Sequence, residues 1–137
     1  MKHMKTYLGH IQLNVKNPEV SFPFYKDLFK YFEYETICDE EDCFGASNDT
    51  TDFWITATGK DYKSSLFHRK NTGINHLCFR VDSKEKIDQF YKEFLKPKNI
   101  SILYNTPKSF PEYTSDYYAV FFEDPDRIKL EVTFYSK

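Results

Sequence analysis

Two histidines and one glutamate carry most of the chemistry this chain can offer. His10 opens the run His10-Ile-Gln-Leu-Asn-Val15, and His76 opens the run His76-Leu-Cys-Phe-Arg-Val81. The histidines lie 66 positions apart. The same spacing, without a gap, relates Val15 to Val81, Glu19 to Glu85, Phe24 to Phe90, Tyr25 to Tyr91, Lys26 to Lys92 and Lys30 to Lys96. The chain is therefore read as an internal repeat. Two equivalent histidines on equivalent strands can face each other across a pseudo-twofold axis. Glu131 joins them by strand parity. Two imidazoles and a carboxylate hold a divalent ion (Fe, Mn, Ni or Zn) from one side and leave coordination positions open on the other. An ion held in that way acts as a Lewis acid toward substrate oxygen.

The elements that must position these groups repeat as well. Residues 8–15 alternate as a strand, and Asn17-Pro18 opens a helix whose Val20, Phe24 and Leu28 share a face. Residues 33–38, 44–47 and 53–58 read as three further strands, with a turn at 48–52. In the second copy, residues 75–81 are a strand. Ser83 caps a helix with apolar Ile87, Phe90, Tyr91 and Phe94, and Pro97 stops it. Residues 99–104 are a strand and 106–116 a loop rich in proline and aromatics. Residues 117–123 and 128–135 form a hairpin around Asp124-Pro-Asp-Arg127. Pro125 suits the second position of a type I turn. Arg127 stands where a positive φ would cost about 1 kcal/mol.

The expectation is an α+β fold: two βαβββ modules, near residues 5–60 and 72–137, in one domain spanning 1–137. The modules form a cupped mixed sheet with helices on the outer face. Parity puts Ile11, Leu13, Val15, Leu77, Phe79, Val81, Ile128, Leu130 and Val132 under the helices. The other face carries His10, Gln12, Asn14, His76, Cys78, Arg80, Lys129, Glu131 and Thr133. A plain solvated surface would account for one such histidine. Three strong ligands on one face, two of them repeat-equivalent, point to a metal site. Gln12 and Lys129 share that face and are candidates for orienting substrate. Tyr113 and Tyr117, in the 106–116 loop and at its exit, are candidates for closing over it. His3 and His68 lie outside the repeat and read as surface residues, Cys78 as a small semi-buried one, and Arg80 as a solvated rim residue.

Composition narrows the rest. A chain of 137 residues is long enough for a core without disulfide or metal support. A net charge of −2 argues against binding nucleic acid through phosphates. No apolar run approaches a membrane span, and the first residues lack the apolar stretch of a signal peptide. Three cysteines without a CxxC fit a reduced, cytoplasmic setting. The 14 Phe and 11 Tyr supply core, and the tyrosine hydroxyls suit a wet pocket.

Four segments together resemble the vicinal oxygen chelate superfamily of glyoxalase I, bleomycin resistance proteins and extradiol dioxygenases. They are Gly9-His-Ile-Gln-Leu-Asn-Val, Phe24-Tyr-Lys-Asp-Leu-Phe, Gly73-Ile-Asn-His-Leu-Cys-Phe-Arg-Val and Phe121-Phe-Glu-Asp-Pro-Asp-Arg-Ile-Lys-Leu-Glu131. The resemblance spans essentially the whole chain. It implies paired βαβββ modules around a divalent ion, with His10, His76 and Glu131 as ligands, and a homodimer. Glyoxalase I adds a fourth ligand on the last strand of the first module. Trp54 stands there by repeat logic, so a typical glyoxalase I is not expected. The resulting expectation is a metal-dependent enzyme acting on a small oxygenated substrate. The alternative is a non-catalytic cup that sequesters a flat ligand or antibiotic, with Trp54 and the tyrosines as stacking surfaces. Fosfomycin-type thiol transfer is a minor third reading, since only Arg80 and Lys129 offer a basic group for a phosphonate.

Overall fold

The computed structural model describes residues 2–137. The chain divides into two compact units, one up to Ser65 and the other from Leu66 to Lys137. The first unit contains β1 (His10–Val15), α1 (Pro18–Tyr31), β2 (Glu35–Asp39), β3 (Cys43–Ser47) and β4 (Asp52–Ala57). The second contains β5 (Leu77–Arg80), α2 (Lys84–Phe90), β6 (Ile102–Ser109), β7 (Tyr118–Glu123) and β8 (Lys129–Phe134). Each unit folds as βαβββ, and each sheet has the same order, β1-β4-β3-β2 and β5-β8-β7-β6. The opening strand runs parallel to the last, and the other pairs are antiparallel. A strand joined to its parallel neighbour needs a long crossover, and here α1 or α2 begins it.

The crossover helix seals one sheet face in each unit. In the first, Leu13, Val15, Phe44, Phe53 and Ile55 lie buried beneath Phe22, Tyr25, Leu28 and Phe29. The Phe29 ring centres this core, 5.0 Å from Phe53 and 6.4 Å from Phe44. The stripe differs from the expected one: Val20 is 52% exposed and Phe24 only half-buried. This helix is apolar around much of its circumference, so spacing alone offered two stripes, and packing on the sheet selected the 22/25/28/29 side. Burial of each such aromatic or leucine contributes about 1.5–3 kcal/mol.

In the second unit Ile87, Phe90, Phe94 and Leu95 cover Val120, Phe122, Leu130 and Val132. Ser83 Oγ accepts from Lys86 N, as its capping position requires. Beyond Phe90 the helix widens into a π-helical turn, Tyr91–Leu95, closed by Lys96 N donating to Tyr91 O at 2.9 Å. The extra residue per turn brings both Phe94 and Leu95 inward.

One strand departs from expectation. β6 does not end near 104 but runs to Ser109, interrupted by a bulge. Leu103 pairs with Phe121 and Lys108 with Ala119, so five steps along β6 match two along β7. Tyr104 (φ 59) and Asn105 (φ 54) adopt left-handed backbone, and Thr106-Pro107 is cis. Alternation breaks across such a bulge, so the segment looks like a loop in sequence. Thr106 mends the ladder: its hydroxyl donates to Leu103 O (2.8 Å) and accepts from Phe121 N (2.9 Å). Arg127 has the positive φ expected of its turn, at 65°. Asp124 Oδ1 braces that turn by accepting from Asp126 N and Ile128 N, each at 2.8 Å. Among the described residues no helix is long and apolar enough to cross a membrane.

Candidate functional site

The helix-free face of the second unit holds a cavity of about 520 Å³. Five of the expected residues line it: His76, Tyr113, Tyr117, Lys129 and Glu131. Glu131 sits mid-β8, opposite Cys78 on β5 and Phe121 on β7. It is 1% exposed, although parity alone would put it on an open face. Lys129 and Thr133 are buried there too. The aromatic segment after β6 accounts for this: Phe110, Tyr113 and Tyr117 pack against one another, and Tyr117 bonds down onto β8.

His76 and Glu131 meet directly. His76 Nε2 lies 3.0 Å from Glu131 Oε2. The other carboxylate oxygen accepts a short hydrogen bond, 2.5 Å, from the Tyr117 hydroxyl. Burial, and then the adjoining Glu131, push the Tyr117 phenol above its ordinary range, so it remains a donor. The far nitrogen of the imidazole is engaged as well. His76 Nδ1 lies 2.8 Å from Asn75 Oδ1, and Asn75 Nδ2 donates to Arg69 O at 3.3 Å. That amide orientation makes Oδ1 the acceptor, which places a proton on Nδ1 and turns Nε2 toward the carboxylate. Cys78 neighbours this pair. Desolvation first, and Glu131 second, push its thiol upward, so it stays protonated and is not a thiolate.

The opposite end of the cavity is basic and aromatic. Lys129 Nζ donates to Tyr104 OH at 3.3 Å and lies over the rings of Tyr104 and Phe121. Lys108 and Phe110 line the cavity as well. Tyr104, Lys108, Phe110 and Phe121 were not singled out from sequence. The only signal was Asn105, a residue that tolerates left-handed backbone, beside a Thr-Pro pair. Arg80 is not part of this wall. Its guanidinium stacks 4.1 Å from the Tyr135 ring and donates to Tyr135 O.

The first unit holds His10, Gln12 and Trp54. His10 starts β1 and is exposed. Gln12 Nε2 donates to Thr56 Oγ1, which donates to Asn14 Oδ1, both at 3.1 Å. Trp54 lies flat over Gly45: a Cβ at residue 45 would come within 2.9 Å of two indole carbons. Ladder register tests the repeat. Trp54 pairs with Gln12, and Glu131 with Cys78, which is the repeat partner of Gln12. Trp54 is thus the structural counterpart of Glu131. In neither unit, among the described residues, are three or more His, Cys, Asp or Glu side chains gathered as a metal centre. The second unit supplies two, His76 and Glu131.

The family model for the Glyoxalase/Bleomycin resistance protein/Dioxygenase superfamily matches residues 7–132. The chain is 32% identical over 125 residues to YqjT, an uncharacterized protein of Bacillus subtilis, covering 91% of this chain and 96% of that one. A solved structure of a candidate glyoxalase from Bacillus halodurans is 34% identical, with a TM-score of 0.85 over 93% of this chain and 95% of its own. The fosfomycin resistance protein FosX of Listeria monocytogenes shares the fold at 22% identity. Its TM-score is 0.70 over 97% of this chain and 96% of its own.

Proposed function

The chain belongs to the Glyoxalase/Bleomycin resistance protein/Dioxygenase superfamily, and on that premise we propose that it is a divalent-metal-dependent enzyme acting on a small oxygenated substrate. The carrying observation is the His76–Glu131 pair at the wall of the cavity. The pair offers a nitrogen and an oxygen donor side by side, 3.0 Å apart, at the cavity wall, and these are the residues that would hold a divalent ion. Both groups are braced from behind, by Asn75 and by Tyr117, as ligands that must keep one orientation are. We assign His10 as the third ligand because it is the repeat counterpart of His76. A bound divalent ion supplies Lewis acidity toward negative charge developing on a substrate oxygen.

The chain's own groups have definable roles. On this reading Glu131 would contribute the negative ligand and His76 the neutral one. Tyr117 keeps Glu131 Oε1 occupied, which reserves Oε2. Lys129 and Tyr104 orient substrate from the far end, and Tyr113, stacked on Phe110, walls the entrance. Gln12 and Trp54 remain candidates for substrate contact.

The test is titration of wild type and Glu131→Gln with Mn(II), Ni(II), Fe(II) and Zn(II). Loss of binding in the variant, with its circular dichroism unchanged, is the expected result. Equal affinity would refute the reading. The aromatic walls of the cavity favour one second reading, a cup that sequesters ligand without turning it over. In that case chelator treatment leaves ligand affinity intact. We also propose a homodimer, on the ground that β1, β2, β5 and β6 are edge strands within their sheets. Sedimentation giving only a 16.4 kDa species would count against it. The three free cysteines fit a reducing compartment.

A further inference from the structure

Lys129, a residue only 9% exposed, lines the cavity and has no ion-pair partner among the described residues. Burying an unneutralised charge is costly, so such a group marks a place where a counter-charge belongs. The two carboxylates nearest in the ladder are committed elsewhere. Glu123, opposite Lys129 on β7, is held by Arg127 at 3.1 Å and Arg69 at 3.5 Å. Glu131, two residues along β8, is held by His76 and Tyr117. What remains around Nζ is the Tyr104 hydroxyl and two ring faces, 5.3 and 5.5 Å away. Tyr104 accepts from Lys129, so its own O–H proton is left to donate. Its backbone sits in the left-handed region, φ 59, a conformation with a cost that a tyrosine keeps only where its surroundings impose it.

We propose that the Lys129–Tyr104 end of this cavity is an anion-binding subsite, and that the ligand is a small organic oxyanion of carboxylate or phosphate type. The inference rests on the reading of the cavity as the substrate site and names its substrate class. The anionic head accepts from Lys129 Nζ and Tyr104 OH. The Phe121 ring, 5.5 Å from Lys129 Nζ and 6.0 Å from the His76 ring, floors the space between the two ends. The ligand therefore carries a short apolar or flat middle and presents its reacting oxygen at the His76–Glu131 end. The cavity is polarised along this line, cationic at one end and anionic at the other. A neutral flat molecule would leave Lys129 uncompensated.

The experiment titrates the full chain, freed of metal by chelator, with benzoate, its neutral isostere benzamide, and inorganic phosphate. Binding is followed by calorimetry and by nuclear magnetic resonance of the lysine side chains. The expected result is saturable binding of benzoate or phosphate, whichever is tighter naming the head group, and none of benzamide. Lys129→Met should weaken anion binding about tenfold to a hundredfold, the range for a hydrogen bond to a charged group. It should leave Zn(II) affinity equal or tighter, because it removes a positive charge from the same cavity. Tyr104→Phe, at an exposed residue that leaves the core untouched, should weaken the anion by a smaller factor. Benzamide binding as well as benzoate overturns the proposal. So does unchanged benzoate affinity in Lys129→Met or, if that variant does not fold, in Tyr104→Phe. Retained metal binding in Glu131→Gln would refute the metal reading alone and leave the anion subsite standing.

Discussion

In the first unit Trp54 stands between Gln12 and Gly45; in the second, Glu131 stands between Cys78 and Phe121. The strands around these positions have the same order, direction and register. What differs is which partner is large. In the first sheet a large indole lies over a glycine, while in the second a carboxylate beside a phenylalanine lines a cavity. One scaffold thus carries two different side-chain pairs at a single ladder position. The helix-packed faces show no such divergence, since both must bury aromatic cores to fold at all.

Changing these pairs breaks or sharpens the contrast. Glu131→Gln has the largest expected effect. Replacing the proposed anionic ligand should lower divalent-ion affinity by more than about 100-fold, beyond the range for an orienting neighbour. Trp54→Ala in the same calorimetric titration should leave the fold intact without that loss. Tyr117→Phe comes next. It frees Glu131 Oε1 and should weaken ion binding about 10–100-fold, as removal of a ligand's support does. Urea unfolding should show a stability loss of about 1 kcal/mol from the hydrogen bond.

Gly45→Ala acts on the first unit. The new Cβ meets Trp54 at 2.9 Å and Ile37 at 3.1 Å. The indole must shift, at about 1 kcal/mol or more for an overpacked site. In a Trp54→Ala background the part of the penalty due to the indole should vanish, leaving the Ile37 contact, and a double-mutant cycle in urea would measure the coupling. The smallest effect concerns Tyr118, which donates to Asp88 on α2 at 2.6 Å. Burial, then Asp88, push its phenol up to about 12 from 10.0. Above pH 10 the folded chain therefore keeps a proton that the unfolded chain loses. The contribution is full below pH 10 and disappears as pH rises through about 12. Tyr118→Phe should flatten that part of the stability profile.

How much could be read beforehand depended on whether a residue obeyed alternation. Glu131 sits mid-strand and His76 just before one, so parity put both on the face that holds the cavity, and the equivalence of Trp54 and Glu131 is borne out by the ladder. The helix-facing positions of β1 and β8 followed by the same rule. Parity said nothing of what covers the other face. Glu131 and Lys129 are buried because an aromatic segment folds over β8, a long-range contact with no periodic trace. Tyr104 escaped notice for the opposite reason: positive φ at two successive residues removes any fixed sense of inside and outside. Aromatic abundance blurred α1 as well, where two stripes were equally apolar and Val20 lay on the exposed one.

The bulge in β6 has a consequence for how this protein can diverge. Thr106 closes the ladder locally, so the residues looped out before it contribute little to the sheet's hydrogen bonding. Tyr104 occupies that loop, and Lys129 and Glu131 occupy the ladder beyond it. Tyr104, one of the two groups proposed to meet the anion, is thus carried outside the ladder, while Lys129 and the proposed ion ligand Glu131 share β8. Substitutions within 104–105 can reshape that part of the wall while β8 keeps its register. On the proposed reading, the shape of the wall is free to drift, whereas the charge that selects the anion and the carboxylate that holds the ion are inherited together on one strand.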